Sequence, residues 1–233
     1  MTPSGTLTTL YSFPDGPAGP SALVQATDGD FWGTLSEDNG RVFKMTPSGT
    51  LTTLYGFPEP AGPSALVQAT DGNFYGTTAG GGANENGTVF QITPSGMLTT
   101  LYSFCPQSGC ADGSGPEAGL VQGTDGNFYG TASGGGNCGE PVLDCGTVFS
   151  LSTGLGPFVE TLPSSGKVGN AVTILGTNLT GATSVTFKGT AAVFTVVSSS
   201  EITTTVPAGA TSGIVRVVTP GGTLSSNVPF RVP

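Results

Sequence analysis

The chain has 233 residues and a net charge of −9, from 15 acids against six bases; 36% of residues are apolar and 9% charged, with 39 glycines, 18 prolines and no histidine. Without Lys/Arg clusters to neutralise phosphates, the composition argues against nucleic acid and anionic membrane surfaces as partners, and no apolar run approaches the length of a membrane span. The absence of histidine removes Ser-His-Asp and Cys-His catalysis and the commonest zinc ligands.

One phrase occurs three times. It runs from Thr2 to Lys44, from Thr46 to Gln91 and from Thr93 to Ser150, each time as TPSG-x-LTTLY, then LVQ-x-TDG-x-F(W/Y)GT, then a VF run. A fixed period of this size marks an array of supersecondary units that cannot bury a core alone. Met1 opens directly onto the first phrase, in register with Met45 and Ile92. The expectation is therefore a chain without its native signal peptide that starts inside a longer array.

In the second copy four runs rich in Val, Leu, Phe, Tyr and Thr predict strands: Leu51 to Phe57, Ala65 to Thr70, Asn73 to Thr78 and Gly87 to Thr93. Thr46-Pro47-Ser48-Gly49 predicts a tight turn. Asp71-Gly72, recurring as Asp28-Gly29 and Asp125-Gly126, predicts a type I′ hairpin. The Gly80–Gly82 and Gly134–Gly136 stretches read as exposed connections. No segment carries sustained helical periodicity. Four antiparallel strands per repeat predict a propeller-like blade. Three blades are too few for the usual ring, so the expectation is an excised part of a longer array, two chains closing six blades, or another threefold β arrangement.

Four cysteines lie in insertions that only the third copy carries. Cys105 and Cys110 flank one short loop; Cys138 and Cys145 flank another. Two loop-stapling disulfides in an oxidising compartment are the favoured reading, each contributing roughly 2 kcal/mol by the chain-entropy relation. A four-thiolate zinc site is the alternative.

The phrase ends near Ser150, and Leu155-Gly156-Pro157 reads as a linker. Beyond it, alternating runs at Ala171 to Gly176, Ser184 to Phe187, Ala191 to Val197, Glu201 to Val206, Gly213 to Thr219 and Gly222 to Phe230 predict a small antiparallel sandwich. The predicted class is thus all-β: repeats over residues 1–154 and a sandwich over 155–233.

The phrase GLVQGTDGNFYGT…GTVF resembles the Gloeo/Verruco (GloVer) tandem repeat of exported bacterial proteins. The segment VTILGTNLTGATSVTFKG…SGIVRVVTPGG resembles an IPT/TIG domain, an immunoglobulin-like sandwich. These resemblances imply a secreted or cell-surface repeat protein, and carry no catalytic residues with them.

The recurrent residues offer candidate sites. Asp28, Asp71 and Asp125 are either turn residues or repeated cation contacts. Gln25, Gln68 and Gln122 are expected to bond a neighbouring blade's backbone. Of the pairs Phe31-Trp32, Phe74-Tyr75 and Phe128-Tyr129, neighbours should face opposite ways. One of each enters the core, and Trp32, Tyr75 and Tyr129 are candidate sugar platforms. Glu37, Asp38, Glu59, Glu85, Glu117 and Glu140 read as solvated loop charges. No metal and no cofactor are expected. The leading expectation is a non-catalytic adhesion or ligand-binding protein, with carbohydrate or a surface protein as partner. Alternatives are an acidic hydrolase on polysaccharide or polyester, and a structural spacer or filament subunit that homo-oligomerises through exposed edges.

Overall fold

The computed structural model describes residues 5–13, 19–36, 39–137 and 145–233. Every element among them is a β-strand. Two compact units are separated: Met1–Val121 with Tyr129–Ser150, and Gln122–Phe128 with Leu151–Pro233.

The first sheet is a meander of β1 (Val24–Gln25), β2 (Phe31–Leu35), β3 (Arg41–Met45) and β4 (Leu51–Gly56). The second repeats it with β5 (Val67–Gln68), β6 (Phe74–Thr78), β7 (Thr88–Ile92) and β8 (Leu98–Ser103). The third holds β9 (Val121–Gln122), β10 (Phe128–Ala132) and β11 (Thr147–Leu151), with β11 at its edge. Strand positions follow the predicted runs, but their grouping does not. The Leu51–Gly56 run belongs to the second copy of the phrase, yet it completes the first sheet by pairing with β3, Met45 opposite Leu51 and Val42 opposite Tyr55. The five-residue hairpin linker from Thr46 to Thr50 forces this choice. Gly49 donates to the Thr46 carbonyl and Thr46 to the Thr50 carbonyl, so β4 must fold back on β3. The first and second sheets each therefore take their last strand from the next phrase.

The first two sheets share one core. Trp32 and Val42 of the first meet Leu66, Phe74, Phe90 and Ile92 of the second. Burial of both faces explains why β6 is buried at every position instead of alternating. In β10 the alternation returns, with Phe128 and Ala132 buried and Tyr129 and Thr131 exposed.

The second unit contains eight strands. β12 (Glu160–Leu162), β13 (Ala171–Leu175), β16 (Phe194–Val196) and β17 (Glu201–Thr205) form one sheet, in the order β12-β13-β17-β16. β14 (Ser184–Phe187), β15 (Thr190–Ala191), β18 (Val215–Thr219) and β19 (Gly222–Ser225) form the other, in the order β15-β14-β18-β19. Val172, Ile174 and Ile202 of one sheet pack with Val185, Phe187, Val215 and Val217 of the other in a common core. Ala191 to Val197, expected as one run, is two strands in different sheets. β15 pairs with β14 and β16 with β17, so the chain changes sheet at Ala192–Val193. β12, a three-residue strand, was too short to announce itself in the sequence.

Candidate functional site

The recurrent acid is held by its own turn. Ala26 and Gly29 close a four-residue turn, Gly29 donating to the Ala26 carbonyl at 2.9 Å, while Ala26 donates to the Asp30 carbonyl at 2.8 Å. Only Gly29 has positive φ, at 92°; Asp28 does not. The turn is thus a three-residue loop of a type I turn followed by a left-handed glycine, not the expected type I′. Asp71 and Asp125 repeat the geometry, each accepting the backbone N–H two residues on at 3.1 Å. Asn73 and Asn127 add side-chain donors at 2.8 Å. In the second sheet the Asp71 carboxylate also accepts from the Tyr75 hydroxyl at 2.9 Å, and Gln91 donates to that hydroxyl at 2.7 Å. In the first sheet the corresponding place is taken by the Lys44–Asp30 ion pair at 3.2 Å. The acids' oxygens thus serve local turns. Among the described residues no cluster of three or more Cys, Asp or Glu is arranged to hold a metal ion.

The aromatic dipeptide separates into two environments. Trp32 and Tyr75 are each 1% exposed. The Trp32 indole stacks on Phe74 with ring centroids 3.8 Å apart, joining the first sheet to the second. A sugar platform needs an open ring face, so burial removes Trp32 and Tyr75 from that role and leaves Tyr129, at 40% exposure. Beside them sits a glycine that sequence reasoning passed over. A methyl group on Gly33 or Gly76 would lie 2.7 or 2.8 Å from the Phe43 or Phe90 ring directly across the sheet. The Phe thus covers the glycine and fixes the strand pair.

Gln68 joins the first two sheets as expected, accepting from the Thr27 N–H at 2.9 Å and donating to the Gly72 carbonyl at 3.1 Å. Gln25 instead reaches the Gly29 carbonyl within its own sheet, at 3.2 Å. A second inter-repeat link was missed. The fully buried Thr34 hydroxyl donates to the Ser64 carbonyl at 2.8 Å, and Thr77 to the Ala118 carbonyl at 2.9 Å. Its signal was the threonine following the aromatic-glycine pair in every copy.

Cys105 and Cys110 form a disulfide, as expected. Asp112 braces that loop, accepting from the Cys105 N–H at 3.0 Å and the Tyr102 hydroxyl at 2.9 Å. Burial, then the hydrogen bond and charge of Asp112, raise the Tyr102 phenol above its ordinary pKa. Cys145 is disulfide-bonded; Cys138, like Glu37, Asp38 and Glu140, lies outside the described residues. The Gly134–Gly136 stretch is not an exposed connection. Gly134 and Gly135 are buried, and Gly136 donates to the Cys110 carbonyl. Glu59 lines a cavity, a space of about 140 Å³ between Tyr55, Phe57 and Gly80–Gly82.

These features define a disulfide-bearing β-repeat protein, the first repeat stacked on the second through Trp32 and Phe74 and each joined to the next by a threonine hydroxyl. The family model of the Gloeobacter/Verrucomicrobia repeat matches residues 1–196, and the chain belongs to that family. The match runs past the third phrase into the second unit. No curated protein matches the sequence. Among solved structures, the chain is similar to a virginiamycin B lyase from Staphylococcus aureus bound to quinupristin, at 15% identity and a TM-score of 0.42, over 92% of this chain and 68% of that one. It is also similar to a streptogramin B lyase, at 18% identity and a TM-score of 0.42, over 96% and 72%.

Proposed function

We propose that this is an exported, non-catalytic β-repeat protein of the cell surface or surroundings. Its sheets are read as propeller-like blades and its C-terminal sandwich as an IPT/TIG immunoglobulin-like domain. It works by non-covalent binding, with carbohydrate as the ligand class. One observation carries the reading: in the first two phrases the recurrent polar and aromatic residues serve the scaffold. Asp28 and Asp71 hold turns, Thr34 and Thr77 tie repeats together, and Trp32 stacks between sheets. Repetition here is explained by architecture, which leaves exposed non-reactive surface for function. The disulfides fit an oxidising compartment. The two sheets about one core fit the sandwich assignment. Tyr129 supplies an exposed aromatic face of the kind that stacks on sugar rings.

The test is retention on immobilised polysaccharides together with a hydrolase panel. Retention that weakens several-fold in Tyr129→Ala, with no turnover, is the expected result. Turnover on an ester or glycoside that disappears in Glu59→Gln would replace this reading with the hydrolase.

A further inference from the structure

Among the described residues the third sheet has no counterpart of the strand that closes the other two. β4 and β8 are both supplied by the LTTLY run of the following phrase. After β11 the chain reads Ser152-Thr153-Gly154-Leu155, and the run does not recur. The exposed positions record the loss. Val42 and Val89, opposite Tyr55 and Tyr102, are 0% exposed, whereas Val148 at the same place in β11 is 81% exposed. Thr34 and Thr77 are buried and bonded to the next repeat, whereas Thr131 is exposed. The complement lies in the first phrase. Residues 5–13 read GTLTTLYSF, the same run as β4, yet they pair with no strand of the described chain, and Leu7 is 96% exposed. Their last residues lie against the first sheet, Phe13 edge-on to Phe43 as Phe57 is to Phe90, and Leu10 beside Gly49 as Leu54 is beside Gly96. Beside them an apolar groove of about 380 Å³ runs between Leu10, Tyr11, Pro20, Leu23 and Met45.

We propose that residues 5–13 of one molecule add as the fourth strand to β11 of a second molecule. The acceptor edge and the donor run are the two halves of an interface already built twice inside the chain, so the register is determined. By the pairing of β3 with β4 and of β7 with β8, Leu7 lies opposite Leu151, Thr8 opposite Ser150, Thr9 opposite Phe149 and Tyr11 opposite Val148, with the irregularity between Val148 and Phe149. The face that follows is complementary as well. Thr131 of the acceptor meets the Pro20–Ser21 segment of the donor, as Thr34 meets Pro63 and Ser64. Phe31 meets Tyr129 as Phe74 meets Trp32, so assembly and sugar stacking compete for the Tyr129 ring. The contact is heterologous, so it closes as a two-chain ring or propagates head to tail.

The test is cysteine cross-linking between separately made Thr8→Cys and Ser150→Cys chains, both changes lying at exposed positions, with Trp32 fluorescence as the check on folding. The expected result is a cross-linked species at twice the 23.1 kDa chain mass when the two are mixed. The yield should be several-fold lower when Val148→Cys replaces Ser150→Cys. Light scattering should give at least a doubled mass for the unaltered chain, reduced to one chain by Thr9→Pro. A single-chain mass at all concentrations, or a Thr8→Cys/Ser150→Cys double variant that cross-links within one chain, overturns the proposal.

Discussion

Gly76→Ala tests whether the glycine after the aromatic pair is there for the phenylalanine across the sheet. The added methyl would sit 2.8 Å from Phe90 Cζ and 3.0 Å from Leu66 Cδ2, against roughly 3.5–4.0 Å for relaxed carbon contacts. The ring cannot swing away: Phe90 is 0% exposed and lies edge-on to Phe57 with centroids 5.6 Å apart. Overpacking of this kind costs about 1–3 kcal/mol. The lower backbone entropy of alanine in the unfolded chain offsets about 0.5–1 of it. The net loss, centred on about 1 kcal/mol and reaching about 2.5, lowers Tm by about 2–4 °C per kcal/mol for a protein of this size. The assay is built in, because the single tryptophan, Trp32, sits in the same core as Phe90, and its emission follows that core through a urea or thermal transition. Gly56→Ala is the control, at an exposed strand end with no atom within 4 Å of the new methyl. Adding Phe90→Leu to Gly76→Ala should recover part of the loss through a favourable coupling of about 0.5–2 kcal/mol. If Gly76→Ala is as stable as Gly56→Ala, the ring-over-glycine account is wrong.

Thr34→Val leaves the Ser64 carbonyl without its buried donor and should cost about 1–3 kcal/mol, while Thr131→Val, at an exposed position, should stay within about 0.5 kcal/mol in the single chain; chemical denaturation of the two compares them directly. Replacing Cys105 and Cys110 together by serine should cost about 2 kcal/mol through the freed loop, read as a lower urea midpoint under oxidising conditions. Tyr102 has its pKa raised in the folded state, so folding disfavours its phenolate. Its contribution is constant below the ordinary value of 10.0 and falls as pH rises beyond it. Tyr102→Phe should therefore lose less stability than the parent as the pH rises above 10.0, measured as the difference in Tm across the alkaline limb.

The period, the all-β class and the strand positions were legible because apolar alternation and Gly/Asp turn chemistry act within a few residues. What the phrase could not reveal was its phase. A repeated sentence has no marked beginning, and only the short Thr46–Thr50 connection decides that Leu51–Gly56 closes the first sheet. The aromatic sites were misjudged for a related reason. Period-two reasoning assigns Phe74 and Tyr75 to opposite faces, one buried and one open. In a stack of sheets both faces are interior, and both residues are 1% exposed. The Cys105–Cys110 bond was readable because five residues of separation leave little choice of partner. The split of Ala191–Val197 between two sheets was not, since a strand that changes sheets keeps its apolar alternation through the corner.

Strand lending between neighbours also bears on how such an array changes length. A recombination event that removes one whole period rejoins chemically equivalent positions wherever the breakpoint falls. If it cuts inside the LTTLY run, the new junction still gives the upstream sheet the same last strand, merely encoded further along. The number of sheets can therefore drift by one without any junction having to be redesigned. The third sheet is under a different constraint, because its last strand has no lender in the sequence that follows it. Selection on the number of sheets and selection on that edge thus act on separate residues.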